Sequence, residues 1–324
     1  MALSRKLQNR FGRIGVLMGG PSTEREISLK SGQAVCDSLS KLGFKVAAID
    51  IKTDNIKKNT RLIKSYRIGL AFVALHGRFG EDGQIQELLD SLKIPYTGSG
   101  AMASCLAMDK ITSRKIFEAH GLYVPRYKVE DRFSYNRNWK MHNMALSLPL
   151  VVKPATHGSS IGLSIIDTKS QLDKAVGEAF SFDEKVIIEE YIEGRELTVG
   201  ILEEKALPVI EIVPKKRFFD YQAKYQAGMT EYIIPAKLQN ALSKKIQEAA
   251  LCAHKLLGCF GCSRVDMILS EDNMPFILEI NTIPGLTQTS LLPKAARIVG
   301  IDFPHLCLKL IKLAYEKAKN KSSG

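Results

Sequence analysis

SRVDMILSEDNMPFILEINTIPGLTQTSLLP, residues 263–293, is the stretch from which the fold is read. Arg264 and Asp266 alternate with Val265 and Met267, and Glu279 and Asn281 alternate with Leu278 and Ile280, so two strands each turn a polar pair to one face. Between them SEDNMP favours a turn, which makes a hairpin with residues 271–274 as its loop. That register sets Asp266 opposite Glu279 and Arg264 opposite Asn281. Two carboxylates roughly 5 Å apart at their β-carbons repel, and they need a shared proton or a cation between them. Ligands made only of carboxylate and amide oxygens suit Mg²⁺ or Mn²⁺, and Mg²⁺ keeps places for water and phosphate oxygens. A solvated polar face is the competing reading of the hairpin alone. The sequel TIPGLTQTSLLP favours a site, because its Pro-Gly turn, hydroxyls and amide lie beside the expected metals.

The 324 residues suffice for two or three domains, and 45% hydrophobic with 25% charged residues is an ordinary globular composition. No apolar run approaches the ~18 residues of a membrane span. The apolar patch at residues 14–18 is too short for a signal-peptide core, so the expected location is the cytoplasm. A net charge of +12 raises nucleic acid as a partner, yet the lysines are scattered and no aromatic-basic interleaving accompanies them. The excess is read as solvated surface plus a pocket for anionic ligands. Six cysteines in so long a chain make no disulfide framework. Cys259 and Cys262 have no second pair to complete a zinc site and are read as buried thiols.

RIGVLM (13–18), KVAAIDI (45–51) and GLAFVAL (69–75) read as strands, with a helix over 28–42 after the first. Strands alternating with helices predict a doubly wound parallel sheet, whose ligands bind beyond the strands' C-terminal ends, at residues 19–26 and 76–83. The first loop lacks G-x-G-x-x-G and carries Glu24 and Glu26. A carboxylate there suits a ligand ammonium better than a pyrophosphate, or simply favours the helix N-terminus. His76 stands at the end of the third strand, where either a structural or a functional histidine fits. A helix over 108–120 places Lys110 in its first turn, where the helix dipole disfavours a cation unless a phosphate answers it.

LPLVVKPATHGSSIGLSIID (148–167) reads as a hairpin whose tip, residues 157–161, is small and flexible. Its lysine precedes the glycines, so it is no Walker loop, but Ser159, Ser160 and free N–H groups can close over phosphates while Lys153 adds charge. In VIIEEYIEGREL (186–197) a strand, a loop and a second strand follow one another. Backbone around Glu190, Tyr191 and Ile192 is suited to an adenine edge, and Glu189 or Glu196 to ribose hydroxyls; salt bridges are the alternative for the acids. Residues 218–235, without steady period, read as an ordered loop of lid type. Residues 131–143 are taken as a loop or insertion.

In order and spacing these pieces resemble the D-alanine–D-alanine ligase family of the ATP-grasp superfamily. The motifs that carry the likeness are GGPSTEREISL, ALHGRFGEDG, YTGSG with MDK, VKPATHGSSIG, DYQAKY, and SRVD with LEINTIPGLTQTSLLP. The resemblance implies an α/β fold of three domains: a doubly wound parallel-sheet domain (13–98), a central ATP-grasp subdomain with the glycine-rich loop (99–188) and a C-terminal one with metal site and lid (189–320). It implies ATP-driven synthesis of the dipeptide used in bacterial peptidoglycan, through an acyl phosphate, with ATP and D-alanine as substrates, two Mg²⁺ or Mn²⁺, and a homodimer. Carried onto matching positions, Lys110, Lys153 and Ser160 touch phosphates, with Lys224 also at the nucleotide. Glu189, Glu190, Tyr191 and Ile192 lie on adenine and Glu196 on ribose, and Asp266, Glu279 and Asn281 hold the metals. Glu24 takes the first substrate's ammonium with His76 nearby. Arg264 and the Gly285 N–H stabilise the oxyanion, and Ser290 with Leu291 takes the second carboxylate. Ser159, Tyr225 and Glu24 form a hydrogen-bonded link between glycine-rich loop, lid and first domain. Tyr225 is replaced in relatives that make depsipeptides, so its presence resembles the amide-forming branch. His157 and Ser263 depart from the residues frequent at their positions. The readings weighed against this one are a ligase of D-alanine with another acceptor, a dinucleotide-binding oxidoreductase and a nucleic-acid-binding protein.

Overall fold

Three sheets succeed one another along the chain in the computed structural model, which describes residues 12–133, 135, 146–215 and 230–321. The first holds β1 (Arg13–Gly19), β2 (Lys45–Ile51) and β3 (Leu70–Val73) in the order β2-β1-β3, all parallel. Connecting them are α1 (Arg25–Lys41) and α2 (Ile56–Ser65), and α3 (Gln84–Ser91) follows. The parallel sheet expected from the alternation of strands and helices is present. Helix α1 begins at Arg25, three residues before the expected start, which makes Glu24 its N-cap residue.

The expected helix over 108–120 is present from Lys110 to Ala119, and a separate helix that was not expected precedes it. α4 (Ala101–Met108) ends where Asp109 leaves helical geometry, and α5 (Lys110–Ala119) starts there, with the Asp109 carboxylate accepting from the N–H groups of Ile111 and Thr112. Lys110 is therefore the first residue of a new helix.

A second sheet, antiparallel, joins β4 (Tyr127–Asp131), β5 (Leu150–Pro154), β6 (Ser164–Ile166) and β7 (Lys185–Glu190) in the order β4-β7-β5-β6, backed by α6 (Leu172–Phe180). β5 and β6 form the predicted hairpin around the glycine-rich loop. The third sheet contains β8 (Gly194–Leu202), β9 (Lys205–Ala206), β10 (Ile210–Pro214), β11 (Thr230–Ile233), β12 (Cys262–Ser270) and β13 (Pro275–Asn281). Its order is β11-β10-β8-β12-β13, with β9 on β8. α7 (Asn240–Leu256) packs against it, and α8 (Leu291–Ile298) and α9 (Phe303–Lys321) close the chain. Part of the expected 218–235 loop is thus strand β11. Residues 218–229, with Lys224 and Tyr225, lie outside the described residues, as do 136–143 of the expected insertion.

The β12–β13 register pairs Arg264 with Asn281 and Asp266 with Glu279, as the alternation predicts, then shifts to pair Met267 with Ile277. Leu278 is the extra residue of a β-bulge. It does not oppose Glu279 as strict alternation requires: both line one cavity.

The apolar cores cross these sheets. Ile14, Val16 and Phe72 of the first sheet share a core with Leu202 of β8, Leu292 of α8, and Phe303, Leu306, Leu310 and Ile311 of α9. α4 and α5 contribute Ala107 and Phe117 to the core of the third sheet, with Val199, Val265 and Ile277. No helix among the described residues is long and apolar enough to cross a membrane. Ile311 is fully buried, so Ile311→Ala should cost about 2–5 kcal/mol. In urea unfolding the midpoint should fall, and hydrogen exchange should speed up in β1 as well as in α9, because the two share one core.

Candidate functional site

Two cavities adjoin at the β12–β13 hairpin. One, about 400 Å³, opens between the second and third sheets, and the other, about 360 Å³, between the first sheet and the third. Glu279 lines both. The first is also lined by Lys110, Lys153, Ser160, Glu189, Glu190, Tyr191, Ile192, Glu196 and Asp266. Lining the second are Glu24, His76, Ser159, Arg264, Asn281, Gly285, Ser290 and Leu291. Every residue that the family resemblance assigns to the site and that falls on described residues therefore borders one cavity or the other, whereas Glu26 borders neither.

The larger cavity follows from how β7 leaves its sheet. β7 ends at Glu190 and β8 begins at Gly194 in the next sheet, so residues 191–193 bridge the two sheets and Tyr191 and Ile192 border the gap. Leu278, Ile268, Val151 and Ile165 supply apolar walls. Charged groups gather beneath. Lys153 Nζ lies 2.7 Å from Glu189 Oε1, and Arg114 Nη1 lies 2.5 Å from Glu189 Oε2. All three side chains are buried. Burial, with the charges of Arg114 and Lys110, lowers the Lys153 ammonium to about 8, although Glu189 pulls the other way. Burial opposes charge on Glu189 too, but Arg114 and Lys153 outweigh it and hold that carboxyl below its usual range. The Glu189 carboxylate is thus held by two cations, and Glu196, half-buried, also lines the cavity. Arg114 was not singled out from the sequence. Its spacing of four from Lys110 puts both on one face of α5, and that was the available signal.

Lys110 Nζ donates to the His157 carbonyl at 2.6 Å and lies 3.3 Å from Glu279 Oε2, joining the glycine-rich loop to the hairpin. The loop's stems are gripped by the turn before β7. Asp183 Oδ2 accepts from the Thr156 N–H and hydroxyl, both at 2.7 Å, and the Phe182 ring covers Gly162. With φ of +69° and the ring 2.6 Å from a built Cβ, position 162 admits only glycine without rearrangement. Burial works against charge on Asp183, but donors from His157 and Thr156 keep its carboxyl well below the usual range. At the tip Ser159 and Ser160 both take left-handed backbone. Their side chains part there: Ser160 borders the larger cavity, and Ser159 Oγ donates to Glu24 Oε1 in the first unit.

Beside the smaller cavity, His76 Nδ1 lies 3.1 Å from the Ile283 carbonyl and Nε2 lies 3.0 Å from Ser31 Oγ. Burial disfavours its charge, yet Glu81, 3.9 Å away, and the negative charge of Glu24 raise the imidazole above its ordinary value. Gly77 has φ of +71°, and a Cβ there would fall 2.7 Å from Glu24 Oε2, so the backbone yields its side-chain space to that carboxylate. Ser290 stands at the N-cap position of α8, but its Oγ turns away from the helix N–H groups and accepts from the Thr287 N–H at 3.1 Å, next to Gly285.

The carboxylates predicted to repel across the hairpin are each met by a base. Arg264 holds Asp266 through Nε at 2.8 Å and Nη2 at 2.6 Å, and Thr198 Oγ1 donates to Asp266 Oδ1 at 2.6 Å. Lys110 answers Glu279, and Asn281 Nδ2 donates to Asp266 Oδ2 at 3.2 Å. No group of three His, Cys, Asp or Glu gathers for a metal among the described residues. The hairpin set is two carboxylates and an amide, an all-oxygen donor set at the seam of the cavities that fits a hard divalent ion. Cys259 and Cys262 are free thiols pushed up by burial to about 12; Cys262 is buried as expected, whereas Cys259 is half-buried.

Two antiparallel sheets closing on a cavity, with a glycine-rich hairpin over it and a parallel-sheet unit at its side, define the ATP-grasp class of fold. The chain belongs to the D-alanine–D-alanine ligase family: the family's C-terminal model matches residues 116–312 and its N-terminal model residues 52–99. A D-alanine–D-alanine ligase of Geotalea uraniireducens is 48% identical over 302 residues, 93% of this chain and 95% of that protein. Among solved structures, the D-alanine–D-alanine ligase of Bacillus anthracis complexed with ATP superposes with a TM-score of 0.84 at 34% identity, covering 95% of this chain and 99% of that one. VanG D-Ala:D-Ser ligase of Enterococcus faecalis gives 0.81 at 33% identity, over 93% and 99%.

Because Glu189 is the shared counter-ion of two buried cations, Glu189→Leu should lower stability by about 3–5 kcal/mol. Glu178→Ala, which breaks the exposed pair with Lys174, should change it by less than about 0.5 kcal/mol. Thermal melting of the two variants without nucleotide compares them.

Proposed function

We propose that this chain joins two D-alanine molecules into D-alanyl-D-alanine, with ATP converted to ADP and phosphate, for peptidoglycan synthesis. What carries the reading is Glu279, common to a nucleotide-sized cavity and to a smaller polar one, in a chain that is 48% identical to a ligase of that name. In this proposal the adenine lies against residues 189–192 and the ribose at Glu196, with the phosphates at Lys110, Lys153 and Ser160. Lys224 also reaches the nucleotide. The first D-alanine lies in the smaller cavity with its ammonium at Glu24 and His76 beside it.

Carboxylate and amine do not condense at neutral pH, so the carboxylate must first be activated. The first substrate's carboxylate oxygen attacks the γ-phosphorus and the bond to the β-phosphate oxygen breaks, which gives an acyl phosphate and ADP. Lys110 and Lys153 offset the charge on the transferring group. The second amine then attacks the acyl carbon, Arg264 and the Gly285 N–H stabilise the oxyanion, and phosphate leaves with the C–O bond. Ser290 and Leu291 hold the second substrate's carboxylate. Two Mg²⁺ or Mn²⁺, held by Asp266, Glu279 and Asn281 when bound, spread the charge of the transferring phosphoryl group. Ser159 to Glu24, extended by Tyr225, shuts the loop over the site and keeps water from the acyl phosphate. With this reading go three units at 13–98, 99–188 and 189–320, a cytoplasmic place of action and a homodimer, whose mass sedimentation measures.

Incubation with ATP, Mg²⁺ and D-alanine should release phosphate and yield the dipeptide. Glu279→Gln should abolish ligation and keep the thermal transition. Undiminished Mg²⁺-dependent turnover in that variant would remove the metal assignment. The likeness to VanG favours one competing reading, a different acceptor. Under the present one the wild type makes the dipeptide, and Tyr225→Phe gains relative use of D-lactate when both acceptors compete at neutral pH. An unchanged product ratio would show that Tyr225 does not govern acceptor choice.

A further inference from the structure

Arg114 is 1% exposed and does not border the nucleotide cavity, so the proposed mechanism gives it no work. Its surroundings are specific. Nη1 lies 2.5 Å from Glu189 Oε2, the guanidinium stands 5.2 Å from the Tyr127 ring centroid, and Glu189 Oε1 is held by Lys153 at 2.7 Å. Lys153 and Glu189 are on neighbouring strands in diagonal register, since Val151 pairs with Glu189 and Lys153 with Ile187, so both project to the face that α5 covers. One carboxylate thus serves two cations, of which only Lys153 borders the cavity.

A buried ammonium with a carboxylate of its own is neutralised and has little to offer an anion. A buried ammonium with no carboxylate loses its proton. Sharing Glu189 with a second, permanently charged group gives a third state: Lys153 is anchored, and part of its charge remains for a phosphate oxygen. We propose that Arg114 is a positioning residue for nucleotide binding, which holds Glu189 from the α5 side so that the Lys153 ammonium remains directed to, and incompletely neutralised at, the phosphate end of the cavity. This rests on the nucleotide reading given above.

The groups facing Lys153 are Glu189 from β7 and Arg114 and Lys110 from α5, and burial with the two cations places it at about 8. The sign follows. Its pKa is depressed, so the charged form predominates at neutral pH and is lost as pH rises through about 8, where kcat/KM for ATP should fall. Taking away the Arg114 charge removes one of the depressing causes, so the descending limb should move to higher pH, while at neutral pH Lys153 is more fully claimed by Glu189.

The test is Arg114→Gln, which keeps a donor to Glu189 without the charge, beside Arg114→Lys, which keeps the charge with shorter reach. In the glutamine variant KM for ATP at pH 7 should rise about tenfold with kcat within about twofold, and the alkaline limb should shift upward by about one pH unit. The lysine variant should restore the limb and most of the KM. Loss of kcat and KM together with an unmoved limb would assign Arg114 to packing alone and overturn the proposal, as would a glutamine variant with wild-type KM and limb. Should the glutamine variant fail to fold, a KM for ATP raised about tenfold in the lysine variant, with its charge kept and the alkaline limb unmoved, overturns it. Wild-type protein that releases no phosphate from ATP with D-alanine would refute the ligase reading itself, an outcome distinct from any of these.

Discussion

Opposed carboxylates on adjacent strands are the constraint from which the rest of the site takes its form. Asp266 and Glu279 pair across the β12–β13 hairpin, and each is met by a base: Asp266 by Arg264 of its own strand, Glu279 by Lys110 from the start of α5. Lys110 in turn accepts a place between sheets, since its ammonium also donates to the His157 carbonyl of the glycine-rich loop. Repulsion at one hairpin therefore ties a helix N-terminus, a loop and two sheets together. The same Glu279 borders both cavities, so whatever occupies one is felt electrostatically in the other.

Where local pattern and tertiary demand agree, the sequence was readable. β1 and β2, the β5–β6 hairpin and the Asp266–Glu279 pairing all follow from period and turn chemistry. The failures have physical causes. The bulge at Leu278 sits in FILEI, where apolar residues flank the extra position and alternation gives no sign of a skipped partner. α4 was missed because AMASCLAM is apolar on nearly every side and has no face to detect. β11 is four residues long and follows a segment without period. Arg114 was invisible for a different reason: a lone basic residue on a helix is ordinarily solvated, and only the arrival of Glu189 from β7 makes it a buried partner.

The rival readings fail on the placement of charge. A dinucleotide would set its pyrophosphate at the start of α1, where the structure places the Glu24 carboxylate, held by Ser159. A nucleic-acid surface needs its cations outward, whereas Lys110, Lys153, Arg114 and Arg264 are turned onto internal carboxylates. The positive charge thus divides between lysines scattered along the chain and a small interior group paired with carboxylates.

α9 has a consequence for how the molecule comes into being. Phe303, Leu306, Leu310 and Ile311 complete the core of a sheet whose first strand begins at Arg13. On the ribosome, the opening strands emerge long before the residues that cover them, and domains ordinarily fold in the order they are made. Here α1, through Val35 and Leu39, covers that face of the sheet early, but the core it shares with α9 stays incomplete until α9 is synthesised. The pairings within each of the three sheets join residues far nearer in sequence than the contact of α9 with that core. One core is therefore shared by the first elements made and the last, and it is complete only when α9 reaches α1.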